Sequence, residues 1–265
     1  MEKAQFDKFR TLVHELSGIH LAENKEALVI ARISKRMRAL GIQDYGRYYE
    51  YVLADKSGGE LTELINAIST NVTHFYREAR HFELLATWMR AWESEGVRSL
   101  RIWSAASSTG EEPYTIAMTV LESLTRPMPV EILASDISTK VLNAASAGVY
   151  RQQDIEKIPP LLLRKYFQVG GEEDQLYRVK PIIRNLVTFQ QINLATPPYP
   201  IKGGLDVIFC KNVMIYFNQE LRQQIVQTFQ GMLRPGGYLV VGMAESLSAS
   251  KHQMKPVEPS VYRKP

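Results

Sequence analysis

Cysteine and histidine are scarce in this chain, and their scarcity limits the chemistry that it can carry out. The 265 residues include one cysteine, Cys210, and five scattered histidines. A single cysteine excludes an internal disulfide and is typical of a protein from a reducing compartment. Neither the cysteine nor the histidines follow the spacing of a metal-binding motif. The composition therefore predicts a metal-free protein of the cytoplasm.

Long apolar runs and a secretory leader are also absent from the sequence. No stretch approaches the ~20 apolar residues that a transmembrane helix needs, and residues 1–6 lack the apolar core of a signal peptide. A hydrophobic content of 45% and a charged content of 23% are ordinary for a globular protein. The chain is long enough for one large α/β domain and a smaller one, and we expect no direct membrane insertion.

The hydrophobic patterns divide the chain into a helical part and an alternating part. The first part predicts helices over residues 2–16, 24–40, 44–54, 60–69 and 77–95. After it, strands are predicted at 100–103, 130–134, 186–192, 206–209, 238–241 and 261–263, with helices at 112–124, 138–145 and 218–233. This alternation predicts an α/β fold with a doubly wound, largely parallel sheet. We predict domains at 1–76 and 77–265, the second with a linker helix and a small antiparallel β insertion at about 166–185.

The loop after the first predicted strand has little glycine. It runs from Ser104 to Gly110, and Gly110 is its only glycine. The glycine-rich fingerprint that binds a dinucleotide pyrophosphate is therefore missing. The next strand ends on Asp136, an acid placed to bind the two hydroxyls of a ribose. Together these features favour a nucleoside ligand without phosphates, and S-adenosylmethionine (SAM) is the cofactor of that kind that we predict.

Five motifs, in order along nearly the whole chain, resemble those of the chemotaxis receptor glutamate methyltransferases, the CheR family. They are Ser69-Thr-Asn-Val-Thr-His-Phe-Tyr-Arg77, Ser108-Thr-Gly-Glu-Glu-Pro-Tyr114, Ala134-Ser-Asp136, Asn193-Leu194 and Phe209-Cys-Lys-Asn-Val-Met-Ile-Tyr-Phe217. The resemblance implies a Rossmann-like SAM-dependent methyltransferase sheet behind an all-helical N-terminal domain. It also implies methyl transfer to the γ-carboxylates of glutamates on chemoreceptors, which forms methyl esters for chemotactic adaptation.

The resemblance assigns roles to individual residues of this sequence. Tyr216 and Arg77 would position the acceptor carboxylate. Contacts with SAM or its product S-adenosylhomocysteine are implied at Asn71, Thr73, Arg77, Glu112, Asp136, Asn193, Leu194, Cys210 and Lys211. Lys211 stands where the family usually has arginine, so two-pronged hydrogen bonding by that side chain is open. Because the product shares most of these contacts, we expect it to inhibit.

The implied reaction agrees with the scarcity of acid–base groups in the motifs. A glutamate side chain has a pKa of about 4.3, so at neutral pH the acceptor is already a carboxylate. The reaction then needs a desolvated carboxylate held in line with the methyl group, and it needs no general base. No histidine lies beside a suitable acid in the motif regions. A base-dependent methyltransferase is expected to show a clearer acid–base pair.

Several of these residues also have a purely structural interpretation. Thr109 and Glu112 have the spacing of a capping box, in which both side chains bind the first turn of a helix. Asp136 has the alternative role of capping the following helix, although Ser138 is better placed for that. Cys210 has the alternative role of a small buried hydrophobic residue.

A basic stretch in the helical part predicts a docking surface. Residues 30–40 read as a helix with an apolar stripe of Ile30, Ile33, Met37 and Leu40. The basic residues on the other side are Arg32, Lys35, Arg36 and Arg38. This face is either a solvated surface or a docking site for an acidic partner, and the resemblance favours the acidic coiled coil of a chemoreceptor.

The resemblance also implies that the β insertion of some members binds a C-terminal receptor peptide as an added strand. We expect a monomer that binds no nucleic acid. One alternative is a nucleic-acid methyltransferase, because Thr196-Pro-Pro-Tyr199 resembles the Asn/Asp-Pro-Pro-Tyr box. Here the first position is a threonine, which lacks the amide or acid of the box. The segment also follows the strand that precedes 206–209, whereas the box normally ends the fourth strand of the sheet. A second alternative is a sensor that binds the cofactor without catalysis.

Overall fold

A computed structural model describes residues 1–21, 26–69, 71–170 and 176–265. The N-terminal helices are α1 (Lys3–Ser17), α2 (Glu26–Leu40), α3 (Tyr45–Ala54) and α4 (Gly59–Ile68). They confirm the predicted helical part, although the predicted start of α2 at residue 24 lies outside the described residues. Phe9, Val13, Ile33 and Leu64 are among the side chains of a hydrophobic core that these helices enclose.

The central sheet is built from seven strands. They are β1 (Leu100–Ala105), β2 (Val130–Asp136), β6 (Val187–Gln191), β7 (Leu205–Cys210), β8 (Leu233–Val241), β9 (Lys255–Glu258) and β10 (Val261–Arg263). Their order is β6-β2-β1-β7-β8-β10-β9, in which the first five strands are parallel and β10 and β9 are antiparallel additions. The predicted doubly wound sheet is confirmed. Strand β9 was not predicted, since its four residues, with Pro256 among them, carry little strand signal.

Helices cover both faces of the sheet. They are α5 (Arg80–Ser94), α6 (Glu111–Ser123), α7 (Thr139–Ala147) and α11 (Gln219–Met232). The predicted linker helix, α5, packs directly on the sheet, where the Trp88 ring stacks on Tyr238 with 3.9 Å between centroids. The helix begins at Arg80 and not at residue 77, because Tyr76 and Glu78 have positive φ angles of 56° and 58° that are incompatible with a right-handed helix. Arg77 therefore lies in a turn.

A second, smaller sheet confirms the predicted antiparallel insertion. Its strands are β3 (Val149–Arg151), β4 (Phe167–Val169) and β5 (Leu176–Val179), in the order β3-β5-β4. Short helices α8 (Gln152–Ile155), α9 (Pro160–Tyr166) and α10 (Pro181–Arg184) accompany them. The insertion starts at Val149, earlier than predicted, because a three-residue strand shows no alternating pattern. The predicted glycine-containing loop lies outside the described residues from position 171 to 175.

The parallel strands β1, β2, β6 and β7 end at one edge of the sheet, and the helical domain lies across that edge. Ligands of doubly wound sheets bind at this carboxyl edge. No helix in the described part of the chain is both long and apolar enough to cross a lipid bilayer.

Candidate active site

A cavity lies between the carboxyl edge of the sheet and the helical domain, and it encloses about 1180 Å³ of space including its open mouth. Nearly all of the predicted site residues line it. They are Asn71, Thr73, Arg77, Glu112, Asp136, Asn193, Leu194, Lys211 and Tyr216. Residues that are up to 145 positions apart in sequence, such as Asn71 and Tyr216, therefore come together in one site.

The loop between β1 and α6 forms the cavity floor and is tightly wound. Ala106, Ser108 and Gly110 have positive φ angles of 62°, 49° and 98°. A Cβ atom on Gly110 would lie 2.8 Å from both the Ala145 Cβ and the Tyr150 hydroxyl, so only glycine fits there. Strained backbone of this kind is typical of ligand sites.

Ser107 supplies a direct test of whether this floor fits a polar ligand. Its hydroxyl is buried on the cavity wall and has no hydrogen-bond partner among the described residues. Buried hydroxyls are normally satisfied, so an unpaired one facing a cavity is expected to bind a ligand group or water. The floor therefore fits a ligand with a polar group at this point.

Asp136 ends β2 and organises the strand end around its carboxylate. Its oxygens accept hydrogen bonds from the backbone N–H groups of Ser108 and Ser138, both at 3.0 Å. Burial raises the pKa of Asp136, although these N–H donors partly oppose the shift. The following helix α7 is capped by Ser138, whose hydroxyl accepts from Val141 N–H. The capping alternative for Asp136 is therefore wrong, and the residue lines the cavity.

Glu112 does not form the capping box that its spacing suggested. The Thr109 hydroxyl donates instead to the Glu111 carboxylate, at 2.7 and 2.9 Å, and α6 begins after Gly110. The Glu112 carboxylate accepts from the Ser104 hydroxyl at 2.8 Å and lies on the cavity wall. A carboxylate in this position can bind an ammonium group of a ligand.

Lys211, which stands where an arginine is expected, is buried between two carboxylates. Its side chain is only 2% exposed and lies 3.4 Å from both the Glu78 and Glu112 carboxylates. Its ammonium also donates to the Arg77 carbonyl at 2.7 Å. The Lys211 ammonium thus combines one hydrogen bond with two ion pairs.

Arg77 and Tyr216 belong to different loops that meet at the cavity. The Arg77 guanidinium donates to the Val72 carbonyl at 2.7 Å. Tyr216 is half-buried in a 3-10 turn, Met214–Tyr216, and its carbonyl accepts from His20 N–H at 2.7 Å. Both side chains face the same cavity. The structure thus brings the two predicted acceptor-positioning residues together.

Two of the predicted cofactor residues have structural roles inside the protein. The Asn193 side chain donates to the Leu16 carbonyl at 2.6 Å and accepts from Ala195 N–H at 2.9 Å, which ties the helical domain to the sheet. Cys210 is fully buried in the core, and among the described residues it is missing from the cavity lining. The structure confirms the interpretation of Cys210 as a buried hydrophobic residue, and the implied contact of its backbone with the cofactor stays a prediction.

The prediction that four basic residues share one exposed face of α2 is wrong. The buried stripe is Val29, Ile33 and Met37, and this places two of the basic side chains next to α4. Arg32 lines the cavity and donates to the carbonyls of Ile68 and Ser69. Arg36 pairs with Glu60, at 2.6 Å. The other two, Lys35 and Arg38, are exposed.

Sequence reasoning missed the contribution of the first helix to the cavity. Ser17, Ile19 and His20, at the end of α1, line it. The one local signal is Gly18, which ends α1 with a φ angle of 71° and where a Cβ atom would collide with Leu221. Within the described ranges, no group of three or more His, Cys, Asp or Glu residues is arranged to hold a metal ion.

Comparison with known proteins identifies the family of the chain. Residues 71–263 match the family model described as "CheR methyltransferase, SAM binding domain", and residues 4–69 match the "CheR methyltransferase, all-alpha domain". The chain is 41% identical over 250 residues to a chemotaxis protein methyltransferase of Escherichia coli K12, covering 94% of this chain and 86% of that protein.

Chemotaxis protein methyltransferase 2 of Pseudomonas aeruginosa is 41% identical over 262 residues, covering 98% of this chain and 92% of that protein. Among solved structures, magnesium protoporphyrin IX methyltransferase from Synechocystis PCC 6803 with bound SAM is 15% identical, with a TM-score of 0.36 over 81% of this chain and 91% of that one. From the two family matches and the close relatives, we conclude that the chain belongs to the CheR methyltransferase family and is a SAM-dependent methyltransferase.

Proposed function

We propose that this methyltransferase transfers a methyl group from SAM to the γ-carboxylates of glutamates on the cytoplasmic helices of chemoreceptors, for chemotactic adaptation. The observation that carries the proposal is the single cavity in which Asp136 and Glu112 lie together with Arg77 and Tyr216. The names of relatives that are about two-fifths identical over most of the chain support chemotaxis as the setting.

The cofactor end of the cavity is formed by groups that match a nucleoside with an amino-acid tail. Asp136 would bind the ribose hydroxyls, Ser107 would satisfy its unpaired hydroxyl on the ligand, and Glu112 would pair with the ammonium. Asn71, Thr73 and Leu194 complete the lining around them. SAM, when bound, supplies a methyl group on a positively charged sulfur. S-adenosylhomocysteine would occupy the same residues, and we propose that it inhibits as the product.

The acceptor end would be formed by Arg77 and Tyr216. A guanidinium and a phenol hydroxyl can hold a glutamate carboxylate by charge-assisted hydrogen bonds and fix its direction. The carboxylate arrives ionised at neutral pH, so the protein has only to orient it and exclude water. His20 also lines the cavity, but the proposed chemistry requires no proton transfer to it.

We assign residues 1–76 to the helical domain and the residues from 77 onwards to the catalytic domain. Receptor docking would use the helical domain. On α2, the exposed residues Lys35 and Arg38 are the basic side chains that remain available to an acidic coiled coil. We propose a monomeric enzyme with no nucleic-acid partner.

The small sheet would bind a receptor C-terminal peptide as an added strand. Among the described residues, the outer strands β3 and β4 each pair with β5 on one side only, which leaves backbone groups for a further strand. Calorimetric titration with a peptide that copies a receptor C-terminus tests this point. Heat of binding is expected. A titration without heat would refute peptide binding by the small sheet but would leave the proposed methyl transfer untouched.

The function is tested by transfer of radiolabelled methyl from SAM to receptor-rich membranes, followed by mild alkali. Label that appears on the receptor and is released as methanol is expected, since carboxyl methyl esters are hydrolysed by base. Alkali-stable label would indicate N-methylation, and binding of SAM without label on any acceptor would indicate a sensor. Either result would overturn the proposed function.

A further inference from the structure

The turn that follows β8 donates two consecutive backbone N–H groups to two carboxylates, of which Glu245 is buried and Glu78 is half-buried. Gly242 N–H donates to Glu245 Oε2 at 2.6 Å, and Met243 N–H donates to Glu78 Oε1 at 2.9 Å. Neither carboxylate is among the described residues that line the cavity. Each carboxylate nevertheless belongs to, or binds, a segment that carries one of the two proposed acceptor-positioning side chains.

Glu245 holds the loop between β7 and α11. Besides Gly242, its carboxylate accepts from Asn212 N–H at 2.8 Å and from Ile215 N–H at 3.3 Å. Asn212 has a positive φ of 59°, a backbone shape that needs support from its surroundings. Since Tyr216 directly follows Ile215, this carboxylate binds the loop on the N-terminal side of Tyr216, while His20 N–H binds the Tyr216 carbonyl.

Glu78 holds the turn that carries Arg77. Its Oε2 atom lies 3.4 Å from the Lys211 ammonium and 3.5 Å from His81 Nδ1. Burial alone would raise the pKa of Glu78, but the Met243 N–H and the charge of Lys211 outweigh burial and lower it. The carboxylate is therefore ionised at neutral pH. Lys211 also binds the Arg77 carbonyl, so Glu78 and Lys211 together fix the turn that presents Arg77.

We propose that Glu78 and Glu245 are positioning residues that act through Arg77 and Tyr216, and that the turn at Gly242 and Met243 sets the separation of those two side chains. The inference rests on the roles proposed above for Arg77 and Tyr216. The close packing at Gly242 supports it. A Cβ atom there would lie 2.7 Å from both Glu245 Oε2 and Asn212 Nδ2, so a larger residue would push the anchor apart.

Kinetics of Glu245→Gln provide the first test. The amide places an NH2 group against backbone donors and shifts the Tyr216 turn. We expect kcat to fall by roughly 10- to 100-fold, because displacements of about 1 Å at a reacting centre have effects of that size. The dissociation constant for S-adenosylhomocysteine should stay the same. Glu245→Asp keeps the charge on a shorter side chain. It should lower kcat by a smaller factor and also leave the dissociation constant for S-adenosylhomocysteine unchanged. Glu220→Gln, an exposed site at the start of α11, is the matched control.

A double-mutant cycle separates positioning from general stability. If Glu245 acts through Tyr216, then Glu245→Gln should lower kcat far less in a Tyr216→Phe background than in the wild type. Glu78→Gln and Arg77→Lys should show the same dependence. Equal fold-changes in both backgrounds would overturn the proposal. An unchanged kcat for Tyr216→Phe alone would instead refute the role proposed for Tyr216 in the reaction.

Amide hydrogen exchange tests the anchors without any methyl acceptor. In Glu245→Gln we expect faster exchange at Asn212, Ile215 and Gly242, while in Glu78→Gln we expect faster exchange at Met243. Exchange rates equal to those of the wild type would refute the anchoring even if methyl transfer to glutamate is established. The two kinds of failure are therefore distinguishable.

Discussion

Arg36 and Glu60 form a two-pronged ion pair that joins α2 to α4. Arg36 Nε donates to Glu60 Oε1 at 2.9 Å and Nη2 donates to Oε2 at 2.6 Å, while the Tyr48 hydroxyl donates to Oε1 at 2.8 Å. The hydrogen bond from Arg36 to Glu60 raises the pKa of Arg36. The pKa of Tyr48 is raised mainly by burial and, to a smaller extent, by its hydrogen bond to Glu60. Arg36 is thus a structural residue of the helical domain.

Glu60→Gln should destabilise the helical domain. The change leaves the Arg36 guanidinium and the Tyr48 hydroxyl with a poorer partner, at a cost of about 2 kcal/mol, which is less than for a fully buried pair because Arg36 remains partly in water. Urea unfolding measures the loss. Glu63→Gln is the control, since the Glu63 side chain is 46% exposed and lies 3.9 Å from Arg36. Equal destabilisation by both variants would contradict the importance of the Glu60 network.

Charge reversal at Lys35 and Arg38 should weaken receptor docking. Both side chains are exposed on α2, so a Lys35→Glu/Arg38→Glu variant should raise KM for receptor and leave SAM affinity and thermal stability unchanged. The effect should shrink as salt is added, because exposed charges are screened over about 10 Å at 0.1 M. The same reversal at Arg32 and Arg36 would not report on docking, because both residues bind α4. An unaltered KM at low salt would exclude this face.

Asp136→Asn should weaken cofactor binding. The amide keeps the size of the side chain but loses the charge and an acceptor, and hydrogen bonds to a charged group contribute about 1.5–3 kcal/mol, or roughly 10- to 100-fold in Kd. Calorimetry with S-adenosylhomocysteine measures the change. Glu131→Gln, on the same strand with a side chain 78% exposed, is the control. Wild-type affinity in Asp136→Asn would rule out the ribose role.

His81 should make the protein less stable in mild acid. Burial, assisted by the charge of Lys211, lowers the pKa of His81 to about 4. Because the unfolded histidine titrates near 6.5, the unfolded chain binds more protons than the folded protein between pH 6.5 and 4, and stability falls as the pH is lowered through that window. The shift corresponds to roughly 3 kcal/mol.

Urea unfolding of the wild type and of His81→Gln at pH 7 and pH 4.5 tests this expectation. Glutamine can still bond the Ser260 hydroxyl, which lies 2.8 Å from His81 Nε2. The wild type should lose more stability than the variant between the two pH values. Parallel losses would show that other groups, and not His81, dominate the acid response.

Most of the fold was predictable because local patterns carry it. The change from helical periodicity to alternating strands and helices marks where the sheet begins, and short runs of β-branched residues locate its central strands. The elements that the sequence did not predict correctly are short strands or begin next to strained backbone. Strands β3 and β9 have three and four residues and show no periodicity. Helix α5 starts late because Tyr76 and Glu78 adopt left-handed backbone shapes that their residue types do not announce.

By itself, the sequence determined the sheet and its carboxyl edge, and it placed the small-residue loop and Asp136 at that edge, because both lie within one βαβ unit whose geometry is local. Tertiary structure decided the rest. Periodicity shows which face of α2 is apolar, but a charged side chain finds its partner only when another helix lies beside it, so Arg36 was misassigned. The closing of the cavity by α1 and the anchoring of two loops by Glu78 and Glu245 likewise depend on contacts between distant segments, and hydrogen bonds between such segments leave no periodic trace in the sequence.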